Sequence, residues 1–397
     1  MTRTRLFASL TALVFLVNLA RVVYAPLVEP LQDAFGVGPG TIGIVVTLVW
    51  VGSALPRIPT GYLLTLVPRH YVVMAAGAVL TAAGAFAATA DSVTTLAIGA
   101  VLMGLASGVY FVSANPLVSE LYPERVGRAL GIHGMASQVA AVAAAPLVGL
   151  VLWLESWRLV FAGISVGAFV VTVVLVVVAL RTEMPAASGV DRNLLGAIRA
   201  QWRLVVAGIF LIGAASFVWQ GVFNFYVSYL LTKGLSESLA RDLLTVAFLT
   251  GVPAFLVSGR HVDRFPAVPY ILVIIAGFVV SLFALTYVQG LLALIVVSAV
   301  LGYVVHSLFP AIDAYLLGTL PDEHRGGAYA LFSGVMMLTQ SVGSSFVGAF
   351  VDIGFSYDLV FQALAAVLAV NLIILVAVWA TGRFPGSPGL EAVKATG

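Results

Sequence analysis

The sequence predicts an all-α integral membrane protein with twelve transmembrane helices, arranged as two six-helix halves. Three observations predict this fold class: an apolar composition, long apolar runs that recur along the chain, and an internal repeat. Of the 397 residues, 61% are hydrophobic and 9% are charged, whereas an average soluble domain carries about 25% charged residues. The bilayer is therefore the expected solvent for most of the chain.

Twelve apolar segments are long enough to cross a bilayer, because a spanning helix needs about 20 mostly apolar residues. The first segment continues without a small-residue cleavage site, which predicts a retained helix and not a signal peptide. The predicted segments are Leu6–Leu31, Ile42–Leu66, Tyr71–Ala90, Leu96–Glu120, Ala129–Leu152, Trp157–Leu180, Leu204–Leu231, Leu243–Gly259, Val268–Tyr287, Leu291–Leu317, Ala328–Phe350 and Leu359–Thr381.

The basic residues predict the orientation. With the segments numbered in chain order, most arginines and lysines fall on one side of the membrane, and only Arg158, Lys233 and Arg241 fall on the other. Basic flanks stay in the cytoplasm. We therefore expect both termini in the cytoplasm, in a multi-pass protein of the plasma membrane.

The chain divides at a polar stretch between the sixth and seventh segments. We expect an N-terminal half at 1–182, a cytoplasmic linker at 183–202, a C-terminal half at 203–382 and a cytoplasmic tail at 383–397. The halves repeat, because Gly61 and Pro123 match Gly259 and Pro321 at one common separation (259 − 61 = 321 − 123 = 198). Two six-helix halves related by an axis along the membrane normal are an established transporter plan.

The chain resembles the major facilitator superfamily over essentially its whole length. The superfamily's loop between helices two and three reads Gly-x-x-x-Asp-x-x-Gly-Arg-Arg/Lys, and this chain has Gly61-Tyr-Leu-Leu-Thr65-Leu-Val-Pro68-Arg69-His70 there. The second copy, from Gly259 to Asp263, retains the aspartate. Further landmarks are Gly127-Arg-Ala-Leu-Gly131 and Trp157-Arg-Leu-Val-Phe161. The resemblance implies the major facilitator fold and a secondary transporter that works by alternating access.

A finer resemblance is to the nitrate/nitrite porter family. Leu55-Pro-Arg57-Ile-Pro59 is similar to that family's helix-two run, in which an arginine faces the anion. Gly131-Ile-His133-Gly-Met-Ala-Ser-Gln138 falls where the family has a glycine-rich stretch of helix five. The family's second anion-facing arginine would fall at Phe255 (57 + 198 = 255), so this chain departs from the pattern there. The resemblance implies a small anion as substrate.

Two arginines, Arg21 and Arg57, fall within predicted membrane helices. A charge at the bilayer centre costs at least about 2.5–3.5 kcal/mol, so it should face protein or a water-filled cavity. A guanidinium suits nitrate, phosphate or carboxylate because its planar fork donates paired hydrogen bonds. We expect both arginines to bind one small inorganic or organic anion. Alternatively, each caps backbone carbonyls freed by Pro26 or Pro56, or forms an interhelical ion pair.

Uncharged polar and aromatic side chains extend the predicted substrate site. Some lie one helical turn from Arg21, one belongs to the helix-five stretch that ends at Gln138, and the others lie near the middle of helix seven, where they could also hydrogen-bond or pack between helices. The candidates are Asn18, Tyr24, Gln138, Trp219, Gln220 and Asn224.

A second group of residues is predicted to serve coupling or gating. A histidine can titrate near neutral pH, and Asp313 pairs with Asn115 at the repeat separation (313 − 115 = 198) near predicted cytoplasmic helix ends. No carboxylate lies near a predicted helix centre, which favours exchange or uniport, while symport stays open. The candidates are His133, His306, Asp313, Asn115 and Asp263.

The composition also argues against other classes. There is no cysteine and the five histidines are dispersed, so we expect no metal, no cofactor and no enzyme activity. A net charge of +2 does not favour nucleic acid. The expected partners are a small anionic substrate and the bilayer, for a monomer. Two alternatives remain: a drug/proton antiporter that exports amphipathic compounds, and a non-transporting receptor or scaffold.

Overall fold

The computed structural model describes residues 2–154, 156–182, 194–262, 264–321 and 325–385. All regular secondary structure in these ranges is helical. The helices are α1 (Thr2–Val22), α2 (Tyr24–Phe35), α3 (Pro39–Ala54), α4 (Arg57–Leu63), α5 (Arg69–Ala88), α6 (Val93–Leu121), α7 (Val126–Leu152), α8 (Arg158–Ala179), α9 (Leu194–Asn224), α10 (Tyr226–Thr232), α11 (Glu237–Leu249), α12 (Gly251–Val262), α13 (Ala267–Tyr287), α14 (Leu291–Thr319), α15 (Arg325–Asp352) and α16 (Tyr357–Ala380).

The predicted membrane fold is confirmed. Within the described ranges, twelve helical stretches are long and apolar enough to cross a membrane. Three of these stretches, which begin with α6, α11 and α16, start at a serine cap. The hydroxyls of Ser92, Ser236 and Ser356 accept from backbone N–H groups three residues later. Such caps satisfy an N–H group that the first helical turn cannot bond internally.

The first two spans of each half are interrupted, although the sequence predicted continuous helices there. The helix pairs α1 and α2, α3 and α4, α9 and α10, and α11 and α12 each form one interrupted span. The interruptions lie at Val23, Leu55–Pro56, Phe225 and Thr250. Pro26 and Pro253 each stand third in the second helix of their pair, and Pro56 immediately precedes α4. A proline has no N–H to bond the carbonyl four residues back, and its ring clashes with that carbonyl. Three of the four interruptions therefore have a proline as their cause.

The described chain forms two compact units, Met1–Arg192 and Asn193–Gly397. In the first unit α1 packs on α7, α3 on α6, and α5 on α6 and α8. In the second unit α9 packs on α15, α11 and α12 on α14, and α13 on α14 and α16. In both units, then, the first span packs on the fifth, the second on the fourth, and the third on the fourth and sixth.

The linker expected at 183–202 is described only from residue 194 onward. Those residues belong to α9, which has non-helical backbone angles at Gln201 (φ −112°, ψ 15°). Residues 183–193, and the part of the expected tail beyond residue 385, lie outside the described ranges.

Glycine permits close approach between the second and fourth spans of each unit. A Cβ atom at Gly104 would lie 2.0 Å from the carbonyl oxygen of Val49, and one at Gly302 would lie 2.0 Å from that of Ala247. The two pairs are separated by the repeat distance (302 − 104 = 247 − 49 = 198). The sequence repeat is thus also a repeat of this backbone contact, for which small residues are suited.

Gly104→Ala should destabilise the protein by about 1–3 kcal/mol, because α3 and α6 must separate to admit the methyl group. The readout is the apparent melting temperature of the detergent-purified protein. Gly163→Ala is the matched control, since a Cβ atom at Gly163 meets nothing within 4 Å. Equal melting temperatures for the two variants would contradict this account of the contact.

Candidate functional site

A buried arginine lies beside the interruption of the first span. Arg21 is the penultimate residue of α1, and its side chain is 6% exposed. Interrupted helices at corresponding positions of two halves are typical of transporter binding sites, because their ends present backbone polar groups and dipoles. This region of the first unit is the candidate site.

The Arg21 guanidinium is held by two aromatic rings and one amide. Its Cζ atom lies 4.8 Å from the ring centroids of Trp50 and of Phe111. Its Nη2 donates to Oδ1 of Asn18, while Nε is buried without a hydrogen-bond partner among the described residues. Within those residues Arg21 forms no ion pair. Cation–π contacts are worth about 0.5–2 kcal/mol, less than the several kcal/mol lost on desolvating a charge.

Asn18 orients this guanidinium. Its Nδ2 donates to the carbonyl oxygen of Ser137 on α7 at 2.7 Å. A carbonyl can only accept, so the amide must turn its Oδ1 away from Ser137 and toward Arg21. One side chain therefore links α1 to α7 and positions the buried charge.

The structure brings Arg57 near Arg21. Arg57 begins α4 and is half-buried, and the two guanidinium groups are close enough for charge repulsion between them. The Nε of Arg57 donates to the carbonyl oxygen of Ser53 at 3.3 Å, at the end of α3. Arg57 thus caps the proline interruption and also adds positive charge beside Arg21.

The other predicted residues of the first unit lie on α2, α7 and α6. Tyr24 follows the interruption at Val23; its hydroxyl is 3.6 Å from the sulfur of Met103 and its ring packs 5.4 Å from that of Phe161. It therefore contacts α6 and α8. Gln138 is half-buried on α7, and Asn115 is exposed on α6.

His133 belongs to a hydrogen-bonded chain that joins α1, α6 and α7. The Tyr110 hydroxyl donates to the Leu10 carbonyl oxygen at 2.6 Å and lies 3.0 Å from Nε2 of His133. A hydroxyl has one proton, so Nε2 must be the donor in the second bond. The geometry fixes the tautomer of His133 and leaves Nδ1 as its basic nitrogen.

In the second unit, Trp219 and His306 belong to one aromatic cluster. Nδ1 of His306 donates to the Gly302 carbonyl oxygen at 2.7 Å. A Cβ atom at Gly251 would lie 2.6 Å from the imidazole, so the glycine after the Thr250 interruption makes room for the ring. Ring centroids 5.5–6.3 Å from that of His306 belong to Trp219, Phe248, Phe255 and Phe309.

Gln220 and Asn224 lie on α9 just before its end, at 2% and 0% exposure. Asn224 Nδ2 donates to the Gln220 carbonyl oxygen at 2.8 Å and to the Ser344 hydroxyl at 2.9 Å. The interruption of the seventh span is thus also lined by polar groups, here uncharged.

Of the two predicted aspartates, the structure describes only Asp313. Asp313 is half-buried on α14 and accepts from the Tyr329 hydroxyl at 2.7 Å. Asp263 lies outside the described residues.

Sequence reasoning missed the rings and serines that position the buried polar groups. Trp50, Phe111 and Ser137 were not among the predicted site residues. A signal was present in Trp50, which precedes Arg57 by seven residues, a spacing that would place the two on a similar face of the continuous helix predicted there (57 − 50 = 7).

The sequence profile described as Major Facilitator Superfamily matches residues 10–291 and 209–396. The chain is also similar to the "Purine ribonucleoside efflux pump NepI" of Salmonella typhimurium and of Salmonella paratyphi B, at 29% identity over 136 residues. That match spans about a third of each chain, 34% of this one and 34% of the pumps.

Two solved structures share the fold at 18% identity. One is a bacterial homolog of the human lysosomal transporter Spinster, in an inward-facing and unoccupied conformation, with a TM-score of 0.71 and 96% of both chains covered. The other is a D-xylose-proton symporter, with a TM-score of 0.72, 93% of this chain and 96% of that chain covered.

Tyr110→Phe should lower stability by about 1–3 kcal/mol, because it removes the bond to the Leu10 carbonyl and leaves the buried His133 N–H without its partner. Thermal unfolding in detergent measures the effect. Tyr62→Phe is the control, since Tyr62 is 66% exposed and should stay within about 0.5 kcal/mol of wild type. An unchanged Tyr110→Phe variant would show that the hydrogen-bonded chain does not stabilise the first unit.

Proposed function

The chain belongs to the Major Facilitator Superfamily, and from this premise we propose that it transports a small inorganic or organic anion. Membership makes it a multi-pass membrane transporter of small molecules, and not an enzyme. The observation that supports an anion is Arg21, a buried guanidinium that forms no ion pair within the described residues.

The chemistry of Arg21 suits an oxyanion. One of its nitrogens is occupied by Asn18, and its Nε is a buried donor without a partner in the described chain. A nitrate-like or carboxylate oxygen would accept from that edge and neutralise the charge in a setting of low dielectric. Arg57 raises the positive potential nearby and thereby the local concentration of anions.

The transport mode follows from the same groups. We propose alternating access by exchange or uniport, since the groups that contact Arg21 in the described ranges include no carboxylate that could relay a proton. Symport through His133 or His306 is the alternative. We propose that the protein is a monomer in the plasma membrane. Both termini would lie in the cytoplasm, because basic residues flank one side of the predicted spans.

A second candidate function is proton-coupled export of an amphipathic or neutral organic molecule. The similarity to efflux pumps named for purine ribonucleosides favours it, together with the aromatic cluster around His306, which offers rings for stacking.

Arg21→Met separates these candidates. The purified wild type is titrated with nitrate, nitrite, cyanate and small carboxylates. At least one anion should raise its melting temperature, and at 100 times the Kd the native state should be stabilised by about 2.7 kcal/mol. Arg21→Met should lose that response. Without anion, its melting temperature should equal or exceed that of wild type, because the variant removes an uncompensated buried charge.

The control is Arg181→Met, which removes an exposed arginine and should keep the anion response. Full anion stabilisation in Arg21→Met would contradict the arginine site. Stabilisation by purine ribonucleosides or cationic amphiphiles alone, equal in wild type and Arg21→Met, would favour the export candidate.

A further inference from the structure

The chain changes direction at the end of α16. Gly382 has a positive φ of 68°, a conformation that glycine adopts without steric cost. Its N–H donates to the Trp379 carbonyl oxygen at 2.9 Å, and the Arg383 N–H donates to that of Val378 at 3.3 Å. These two bonds form the Schellman motif, which ends many helices. Residues 384–385 therefore leave the direction of α16.

The residues after this turn dock on α14. Phe384 is only 5% exposed, although it lies beyond the end of α16. The Tyr315 hydroxyl, on α14, donates to the Pro385 carbonyl oxygen at 2.8 Å. Otherwise α14 packs mainly on α11, α12 and α13, and α16 packs mainly on α13 and α9. Residues 382–385, which we call the strap, thus link the end of α16 to a helix that α16 itself hardly contacts.

The strap contacts α14 beyond a proline. Pro310 lies inside α14 and has no N–H to donate to the His306 carbonyl oxygen four residues back. Prolines are the commonest points at which helices bend. Tyr315 lies between Pro310 and the end of α14 at Thr319. Its hydrogen bond to Pro385 therefore acts on the part of α14 that a bend at Pro310 would move.

The end of α14 has a second tie, and the fourth span of the first unit has a comparable one. On α15, the Tyr329 hydroxyl donates to Asp313 at 2.7 Å. In the first unit, α6 has Pro116 near its end, and Glu120 beyond it forms an ion pair with Arg69 at the start of α5. In both units, then, side chains hold the residues that follow a proline of the fourth span.

We propose that the strap regulates the movement of residues 311–319, the end of α14 beyond Pro310. That end is held while Phe384 is buried and Tyr315 is bonded to Pro385, and it bends at the proline when the strap detaches. Alternating access requires helices to move, so the strap regulates the transport cycle without contacting the transported molecule. Its test therefore does not depend on the proposed anion.

Amide hydrogen exchange of the purified full-length protein measures this movement, because exchange reports local opening. Phe384→Ala removes the buried anchor and should speed exchange in residues 311–319 about tenfold. Tyr315→Phe removes one hydrogen bond and should speed it about threefold. In both variants, residues 295–309 should exchange at the wild-type rate. Tyr303→Phe is the matched control, because Tyr303 is half-buried on the same helix before the proline, and it should change neither region.

A single thiol gives a second measurement, since the chain has no cysteine. Ile312→Cys, at a position 3% exposed, should react with a maleimide about tenfold faster when combined with Phe384→Ala. Adding Pro310→Ala should remove that increase by removing the hinge. Wild-type exchange in residues 311–319 of Phe384→Ala would overturn the inference, and so would an equal increase on both sides of Pro310. If Phe384→Ala does not fold, Tyr315→Phe decides by the same two criteria.

Discussion

In a bilayer every buried backbone and side-chain polar group must find its partner within the protein or in a ligand, because hydrocarbon supplies none. Most of this chain meets that requirement with uninterrupted helices. The first two spans of each unit do not: they break at Val23, at Leu55–Pro56, at Phe225 and at Thr250. The buried polar side chains of interest lie beside these breaks, which is where we propose that a ligand is recognised.

The two units use one scaffold for different chemistry. In each unit, an asparagine of the first span donates to a serine of the fifth. In the first unit the acceptor is the serine's backbone carbonyl, and in the second unit it is the serine's hydroxyl. The first unit thereby orients a cation, Arg21, and the second leaves the uncharged Gln220 with a free donor. Duplication followed by such divergence has placed different polar groups beside the interruption of the first span in each unit.

The fold was predictable from the sequence because apolar run length and the 198-residue repeat are properties of the chain alone. Arg21 was predictable as well, since a charge inside an apolar segment needs no neighbour to be noticed. Its aromatic partners were not, because Trp50 and Phe111 meet it only after three helices pack. Tyr24 was expected on the face of Arg21 by helical spacing; the break at Val23 ends that spacing, and Tyr24 contacts α6 and α8. The Phe225 break has no proline beside it and left no sequence signal.

Transport itself tests the role of Arg21 most directly. Wild type and Arg21→Lys would be reconstituted into liposomes, and counterflow of radiolabelled nitrate, lactate and gluconate measured at equal protein density. Lysine retains the charge but loses the planar fork, so we expect wild-type counterflow of at least one anion and a loss of tenfold or more in Arg21→Lys, about 1.4 kcal/mol. Counterflow of these anions at the wild-type rate in both Arg21→Lys and Arg21→Met would contradict the claim that Arg21 binds the transported anion.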